Sequence, residues 1–340
     1  MSGSSTTGLP PGFYPSYDTC DSVSPICPVK ATTLGYFPNE GVNIFLAIGF
    51  GVAALITLVT GIWKRTWGFS IAVAAGCILE CVGYIGRVLL AENPWNGDAF
   101  KMQIVAIVLG PTLVCIGLYL TLRHIVTALN PGLSRIAPRV YPMIFVPADI
   151  SCLIIQAIGG GVAASAGKAN YNILKHGNRI IMAGIVLQVV VLGAFGTLAG
   201  DYLFRTRRYF NGGSVGEEHA VGALLWRNKK FRTFEWAMFA AYACLLIRCI
   251  YRIAEMAGGW GNHIMQHESS FVVLEGFMIL IASLLLACFA PGFFFPQMSH
   301  DERIKNGGTG GAVVGGGDAE KRGGDRSTSP SDIEGRGQQA

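Results

Sequence analysis

Residues 68–90 read GFSIAVAAGCILECVGYIGRVLL, a run of apolar and small side chains interrupted by only two charges, Glu80 and Arg87. Its length matches the roughly 20 residues that a helix needs to cross a hydrocarbon core. Inside that core a spanning segment must satisfy its own backbone, and a single unbroken apolar run does so as a helix. An ionisable side chain at mid-membrane costs about 2.5–3.5 kcal/mol on insertion scales, so it faces a bundle interior, a partner or a water-filled cavity. The i, i+4, i+7 spacing puts Glu80, Tyr84 and Arg87 on one face. The segment therefore predicts a membrane helix with a polar stripe turned away from lipid.

Six further apolar runs, at 43–63, 100–122, 141–164, 180–203, 232–254 and 270–290, extend this reading to an all-α polytopic membrane protein with seven transmembrane helices in a domain spanning 43–295. The composition agrees: 51% of the residues are hydrophobic and only 14% charged, with a mean hydropathy of +0.45, which excludes a soluble class. The net charge of +5 sits in short connections without an aromatic-interleaved basic patch, so nucleic acid is not an expected partner.

Those connections set an orientation. One side receives Lys64 and Arg65, then Arg123, Arg135 and Arg139, and finally Arg205, Arg207, Arg208, Arg227, Lys229, Lys230 and Arg232. The other receives Lys30, Lys101, Lys168, Lys175 and Arg179. The positive-inside rule places the first set in the cytoplasm, with the N-terminus outside and the C-terminus inside. Residues 1–42 then form an extracellular tail without an apolar signal-peptide region, and the first span acts as the signal. An oxidising exterior favours a disulfide between Cys20 and Cys27, the alternative being two free thiols. Residues 296–340, rich in glycine, charge and serine, are expected to be a disordered cytoplasmic tail.

The polar stripe of 68–90 recurs. Arg248, Arg252 and Glu255 repeat it in the sixth span; Asp149, Cys152 and Gln156 share a face of the fourth, which ends in Gly159-Gly160-Gly161. Gln103, Gln188 and Glu275 add polar groups to the third, fifth and seventh, whereas the first span has no ionisable residue and reads as a packing or lipid-facing helix. The topology puts most of these groups in the outer half, with Asp149 deeper. Two readings stay open: a cavity accessible from the outer leaflet that holds a charged or zwitterionic head group, or pairs that fix the bundle.

Other chemistries fit poorly. The stretch from Gly161 to Lys168 has one residue too many between its glycines for a phosphate-binding loop, and Ala169 stands where Ser or Thr belongs. The seventh span lacks the lysine that a retinal Schiff base requires. His263 and His267 have i, i+4 spacing and precede Glu268, but no third histidine accompanies them. No nucleophile–base constellation is readable. No metal, cofactor or catalytic residue is expected, and the chain reads as a non-enzyme.

The polar residues also carry a resemblance. Glu80-Cys-Val-Gly83-Tyr84-Ile-Gly-Arg87 is similar to the E-x-x-G-Y-x-x-R signature of the fungal lipid-translocating exporter family, also called RTA-like or aminocholesterol-resistance-like proteins. The likeness continues through Gln103, Pro111 and Tyr119, then Asp149-Ile-Ser151, Gln156-Ala-Ile-Gly159-Gly160-Gly161 and Gly184-Ile-Val-Leu-Gln188. It ends with Arg248-Cys-Ile-Tyr251-Arg252-Ile-Ala-Glu255, Gly258, Glu268 and Glu275, so that it covers roughly 43–295 in order. One departure is Phe289-Ala290-Pro291-Gly292, where the family pattern has a histidine before the proline.

The resemblance implies translocation or export of an amphiphilic lipid, such as a sphingoid long-chain base, by an integral membrane protein. The plasma membrane is the expected location, with internal membranes as the alternative. Glu80, Asp149, Glu255 and Glu275 would attract an amino head group, and Arg87, Arg248 and Arg252 would pair with them or bind phosphate. Gln103, Gln156 and Gln188 would supply hydrogen bonds, with Tyr84 in the same site. The expected partners are the amphiphilic substrate and the surrounding membrane lipids; the sequence leaves the oligomeric state open. A seven-helix lipid receptor signalling through the 204–231 loop and the C-terminal tail is the alternative class.

Overall fold

The computed structural model describes residues 15–17, 19–166, 171–211, 220–258 and 263–289. Seven of its helices are long and apolar enough to cross a membrane: α1 (Glu40–Lys64), α2 (Trp67–Glu92), α3 (Gly97–Leu129), α4 (Val140–Ala166), α5 (Tyr171–Asn211), α7 (Lys229–Ala257) and α8 (Glu268–Cys288). A short α6 (Ala220–Arg227) precedes α7, so the stretch 204–231 expected as a loop is helical over most of its described residues, because α5 runs on to Asn211 and α7 begins at Lys229. The expected tail from 296 onward, the Ala290-Pro291-Gly292 departure, and Lys168 with Ala169 lie outside the described residues.

Local signals set the helix ends. Asn39 caps α1 by accepting from the Val42 N–H, Asn96 caps α3 through Ala99, and Asn228 caps α7 through Lys230. α1 closes on Arg65 in the left-handed region, at φ 52°, whose N–H reaches back to Gly61 and Ile62, and α2 starts two residues later. At 41 residues, α5 is roughly 60 Å long, about twice the hydrocarbon thickness, so its arginine-rich end stands clear of the apolar layer.

Each spanning helix packs beside the next, and α8 returns to α1, so the spans close into a ring. α3 is the most enclosed and α4 the least. Small residues allow the closest approach: a Cβ on Gly76 of α2 would stand 2.7 Å from the Gly110 carbonyl of α3. Towards the arginine-rich end the core is aromatic, with the Tyr119 and Phe195 rings 4.5 Å apart and Phe145 5.4 Å from Phe195. Every such ring brings large dispersion contact where no hydrophobic effect operates between helices.

The segment ahead of α1 is docked onto the bundle. Cys20 and Cys27 form a disulfide with Cα atoms 6.0 Å apart. The Trp95 indole N–H donates to the Cys27 carbonyl at 3.0 Å, Asn93 Nδ2 donates to the Asp21 carbonyl at 2.7 Å, and Tyr17 stacks on Phe100 at 5.0 Å. The α2–α3 connection and the first turn of α3 thus supply the apolar and polar partners that a free tail would lack.

Candidate functional site

The site starts from a proline. Pro111 has no N–H, so the carbonyl four residues earlier, that of Ile107, loses its helical partner at a depth where water is scarce. Arg248 of α7 replaces it, donating from Nη2 to the Ile107 oxygen at 2.9 Å. The same guanidinium pairs with Glu275 of α8, Nη2 at 2.6 Å and Nε at 3.0 Å from Oε1. Glu275 lies in a π-helical stretch, Val272–Phe277, an irregularity that often marks functional sites. One turn along α7, Arg252 Nη1 pairs with Glu255 Oε2 at 2.8 Å, and its Nε lies 3.9 Å from Glu275 Oε1.

Glu80 of α2 faces this cluster with Arg248, Glu275 and Arg252 in electrostatic reach. It is fully buried, and neither carboxylate oxygen has a hydrogen-bond partner among the described residues. Its place is made by Gly110, where a Cβ would stand 2.7 Å from Glu80 Oε1. The cluster therefore holds three carboxylates, Glu80, Glu255 and Glu275, against two guanidiniums, Arg248 and Arg252.

Arg87, also fully buried, stands apart with its own set. Nε donates to Asn43 Oδ1 at 3.0 Å, Nη2 donates to Tyr36 Oη at 3.0 Å, and Cζ lies 4.2 Å above the Phe271 ring. Glu268 Oε1 is 3.9 Å from Nη2 and accepts the Asn39 N–H at 2.5 Å. Tyr84, between Glu80 and Arg87, stacks on Phe50 at 5.5 Å. On the other side of α3, Tyr119 Oη donates to Asp149 Oδ2 at 2.7 Å. Gln156 Nε2 donates to Gln188 Oε1 at 3.1 Å, and Gln188 Nε2 to Thr112 Oγ1 at 3.2 Å. Gln103 is buried with its Oε1 unpartnered among the described residues.

The structure thus brings Glu80, Arg248, Arg252, Glu255 and Glu275 into one cluster, leaves Asp149 and the Gln156–Gln188 pair as separate groups beside α3, and sets Arg87 against α1 and α8. Reading the sequence missed Tyr36, Asn43 and Thr112. Asn43 is a polar residue just inside the first apolar run, which is a legible signal; Tyr36 lies ahead of that run and carries none. Glu80, Arg87, Asp149, Arg248, Glu255 and Glu275 are all buried. As the helices stand, these groups belong to the packed interior, and a cavity open to the outer leaflet would require helices to part. The His263 and His267 rings lie 5.8 Å apart, and no cluster of three metal-ligating side chains occurs among the described residues.

Seven spanning helices closed around buried charge define a polytopic integral membrane protein. A family model described as RTA1 like protein matches residues 73–298, which takes in the whole cluster, and the chain belongs to this family. It is 31% identical to the sphingoid long-chain base transporter RSB1 of Saccharomyces cerevisiae (strain Lalvin EC1118 / Prise de mousse), over 78% of this chain and 75% of the relative. It is also 27% identical to protoporphyrin uptake protein 1 of the same species (strain ATCC 204508 / S288c), over 65% of this chain and 67% of that protein. Protein RTM1 of Saccharomyces cerevisiae is 24% identical over 68% and 69% respectively. No solved structure matches the chain.

Proposed function

We propose that this protein translocates an amphiphile with a cationic amino head group and a long hydrocarbon tail, of the sphingoid-base class, using the Glu80 cluster as its head-group site. The observation that carries the reading is the charge count: three buried carboxylates face two guanidiniums, and Glu80 has no hydrogen-bond partner among the described residues. One ammonium would supply the missing positive charge and donate to an oxygen that now receives nothing. The name of the 31% identical relative points to the same substrate class. The closed packing is one state of a cycle in which α2, α7 and α8 separate to admit the head group, while the tail stays in lipid. Arg87 and its partners hold the end of α2 against α1 and the preceding segment during that movement. The plasma membrane is the setting this activity suits.

Reconstitution of the full chain into liposomes tests the reading. A labelled sphingoid base is expected to cross at least about tenfold faster than its N-acylated, uncharged analogue, and Glu80→Gln is expected to abolish that preference. Equal rates for both lipids, or an unaltered preference in the variant, would overturn the head-group assignment. Saturable binding with no movement would establish the lipid-receptor reading instead.

A further inference from the structure

A second charged feature lies at the opposite end of the bundle, where α5 leaves the membrane beside the start of α7. A recess of about 440 Å³ opens between them, lined by Phe204, Arg207, Trp226, Arg232, Glu235 and Trp236, with Asn211 at its rim. Among the described residues, neither the Arg207 nor the Arg232 guanidinium makes a hydrogen bond or an ion pair closer than 4 Å. Both lie within electrostatic reach of the half-buried Glu235. Among the described residues that line the recess, two positive charges against one negative leave a single positive charge.

The walls identify the occupant further. Phe204, Trp236 and Phe239 are 68%, 65% and 56% exposed, and they continue the recess along the apolar face of the bundle. Trp226 is held by Phe210, with ring centroids 6.1 Å apart, and Trp236 by Phe239 at 6.0 Å. Tryptophan side chains at this level are those of a membrane–water interface, apolar on the ring and polar at the N–H. A free anion would need the arginines alone; an anion with a tail would use the aromatic wall as well.

We infer that this recess is a binding site for the phosphodiester head group of an anionic membrane lipid drawn from the leaflet at the arginine-rich end. The guanidiniums of Arg207 and Arg232 donate to the phosphate oxygens, Trp226 and Trp236 flank the glycerol region, and the acyl chains run along Phe204 and Phe239. Such a lipid would tie the long α5 to α7, the helix that carries Arg248 and Arg252. The site is independent of the substrate reading, because it lies at the other end of the bundle and takes the opposite charge.

Native mass spectrometry of the purified full chain, offered an equimolar mixture of phosphatidylserine and phosphatidylcholine, reads this directly. The wild-type protein is expected to retain the anionic lipid about tenfold or more over the zwitterionic one, and R207Q/R232Q to lose the preference. K229Q/K230Q, which removes the same charge just outside the recess, is expected to keep it. Glu235→Gln is expected to strengthen the preference several-fold by removing the competing carboxylate, and it serves where the double arginine variant fails to fold. No preference in the wild type, a preference that survives R207Q/R232Q, or equal losses in the arginine and lysine variants would overturn the site. Displacement of the lipid by millimolar inorganic phosphate would reduce it to a free-anion site and overturn the lipid assignment. An unchanged or weakened preference in Glu235→Gln would count against the head-group geometry.

Discussion

Helices α2 and α7 carry charged stripes of the same period, yet the stripes are satisfied in different ways. On α7, Arg248 and Arg252 meet carboxylates at 2.6 and 2.8 Å, and Arg248 also closes the backbone gap that Pro111 opens in α3. On α2, Arg87 is hydrogen-bonded by the neutral side chains of Asn43 and Tyr36 with Glu268 no closer than 3.9 Å, and Glu80 receives no hydrogen bond from the described residues. The spacing selects the face that a charge occupies; the neighbouring helices decide whether that charge is compensated. The α7 stripe is paired within the fold, and the α2 stripe carries the carboxylate that is not.

Breaking the α7 side should have the largest effect on stability. Arg248→Leu leaves Glu275 buried with only the 3.9 Å contact to Arg252 and the Ile107 carbonyl without a donor, for which a loss of about 3–5 kcal/mol is expected. In practice, the variant should fail to elute as a single species in mild detergent. Combining Arg248→Leu with Glu275→Leu should recover the part of the loss that the broken ion pair causes, since an apolar pair is often no worse than a buried ion pair, but not the part due to the Ile107 carbonyl. A single variant as stable as the wild type would show that the α7 pair is not what holds α8.

The α2 arginine should cost less. Arg87→Leu removes hydrogen bonds to Asn43 and Tyr36 and the contact over Phe271, but leaves behind neutral groups and a partly exposed Glu268. A destabilisation of about 2 kcal/mol is expected, read by thermal unfolding in detergent. Because Tyr36 belongs to the segment ahead of α1, limited proteolysis of that segment should quicken in parallel. A loss as large as that of Arg248→Leu would erase the distinction between the stripes.

Much of this was readable in advance, for reasons specific to each part. The spans follow from hydropathy over a fixed membrane thickness, and the joint burial of Glu80, Tyr84 and Arg87, or of Asp149, Cys152 and Gln156, follows from helical period alone. Pro111 announces a freed carbonyl at Ile107, but not that an arginine 137 residues later would fill it, because that pairing depends on how α3 and α7 cross. The π-helical stretch around Glu275 leaves no compositional trace. The docking of the segment ahead of α1 was also hidden, since Asn93 and Trp95 sit in a short connection with no period to read and Phe100 only opens the third apolar run.

A smaller effect separates both stripes from the polar groups that merely link helices. Gln188→Leu breaks the chain from Gln156 through Gln188 to Thr112. Hydrogen bonds between membrane helices contribute on average about 0.6 kcal/mol, so a loss near 1 kcal/mol is expected for the two bonds. Lipid transport should be retained. A transport defect without destabilisation would move Gln188 into the head-group site.

The smallest stability effect is expected at the residue with the largest proposed role. Glu80→Gln keeps the shape of the side chain that fits against Gly110, and it takes no hydrogen bond from any described group. It removes the carboxylate that exceeds the two guanidiniums of the cluster, so unfolding should shift by far less than the loss expected of Arg248→Leu. Structural residues do not behave this way: a charge retained for packing is missed when it is deleted, as Arg248 should be. If Glu80→Gln unfolds the protein as Arg248→Leu does, α2 carries a structural stripe after all and the unpartnered carboxylate is no substrate site. If stability holds while sphingoid-base movement is lost, the two stripes differ as their partners say they should.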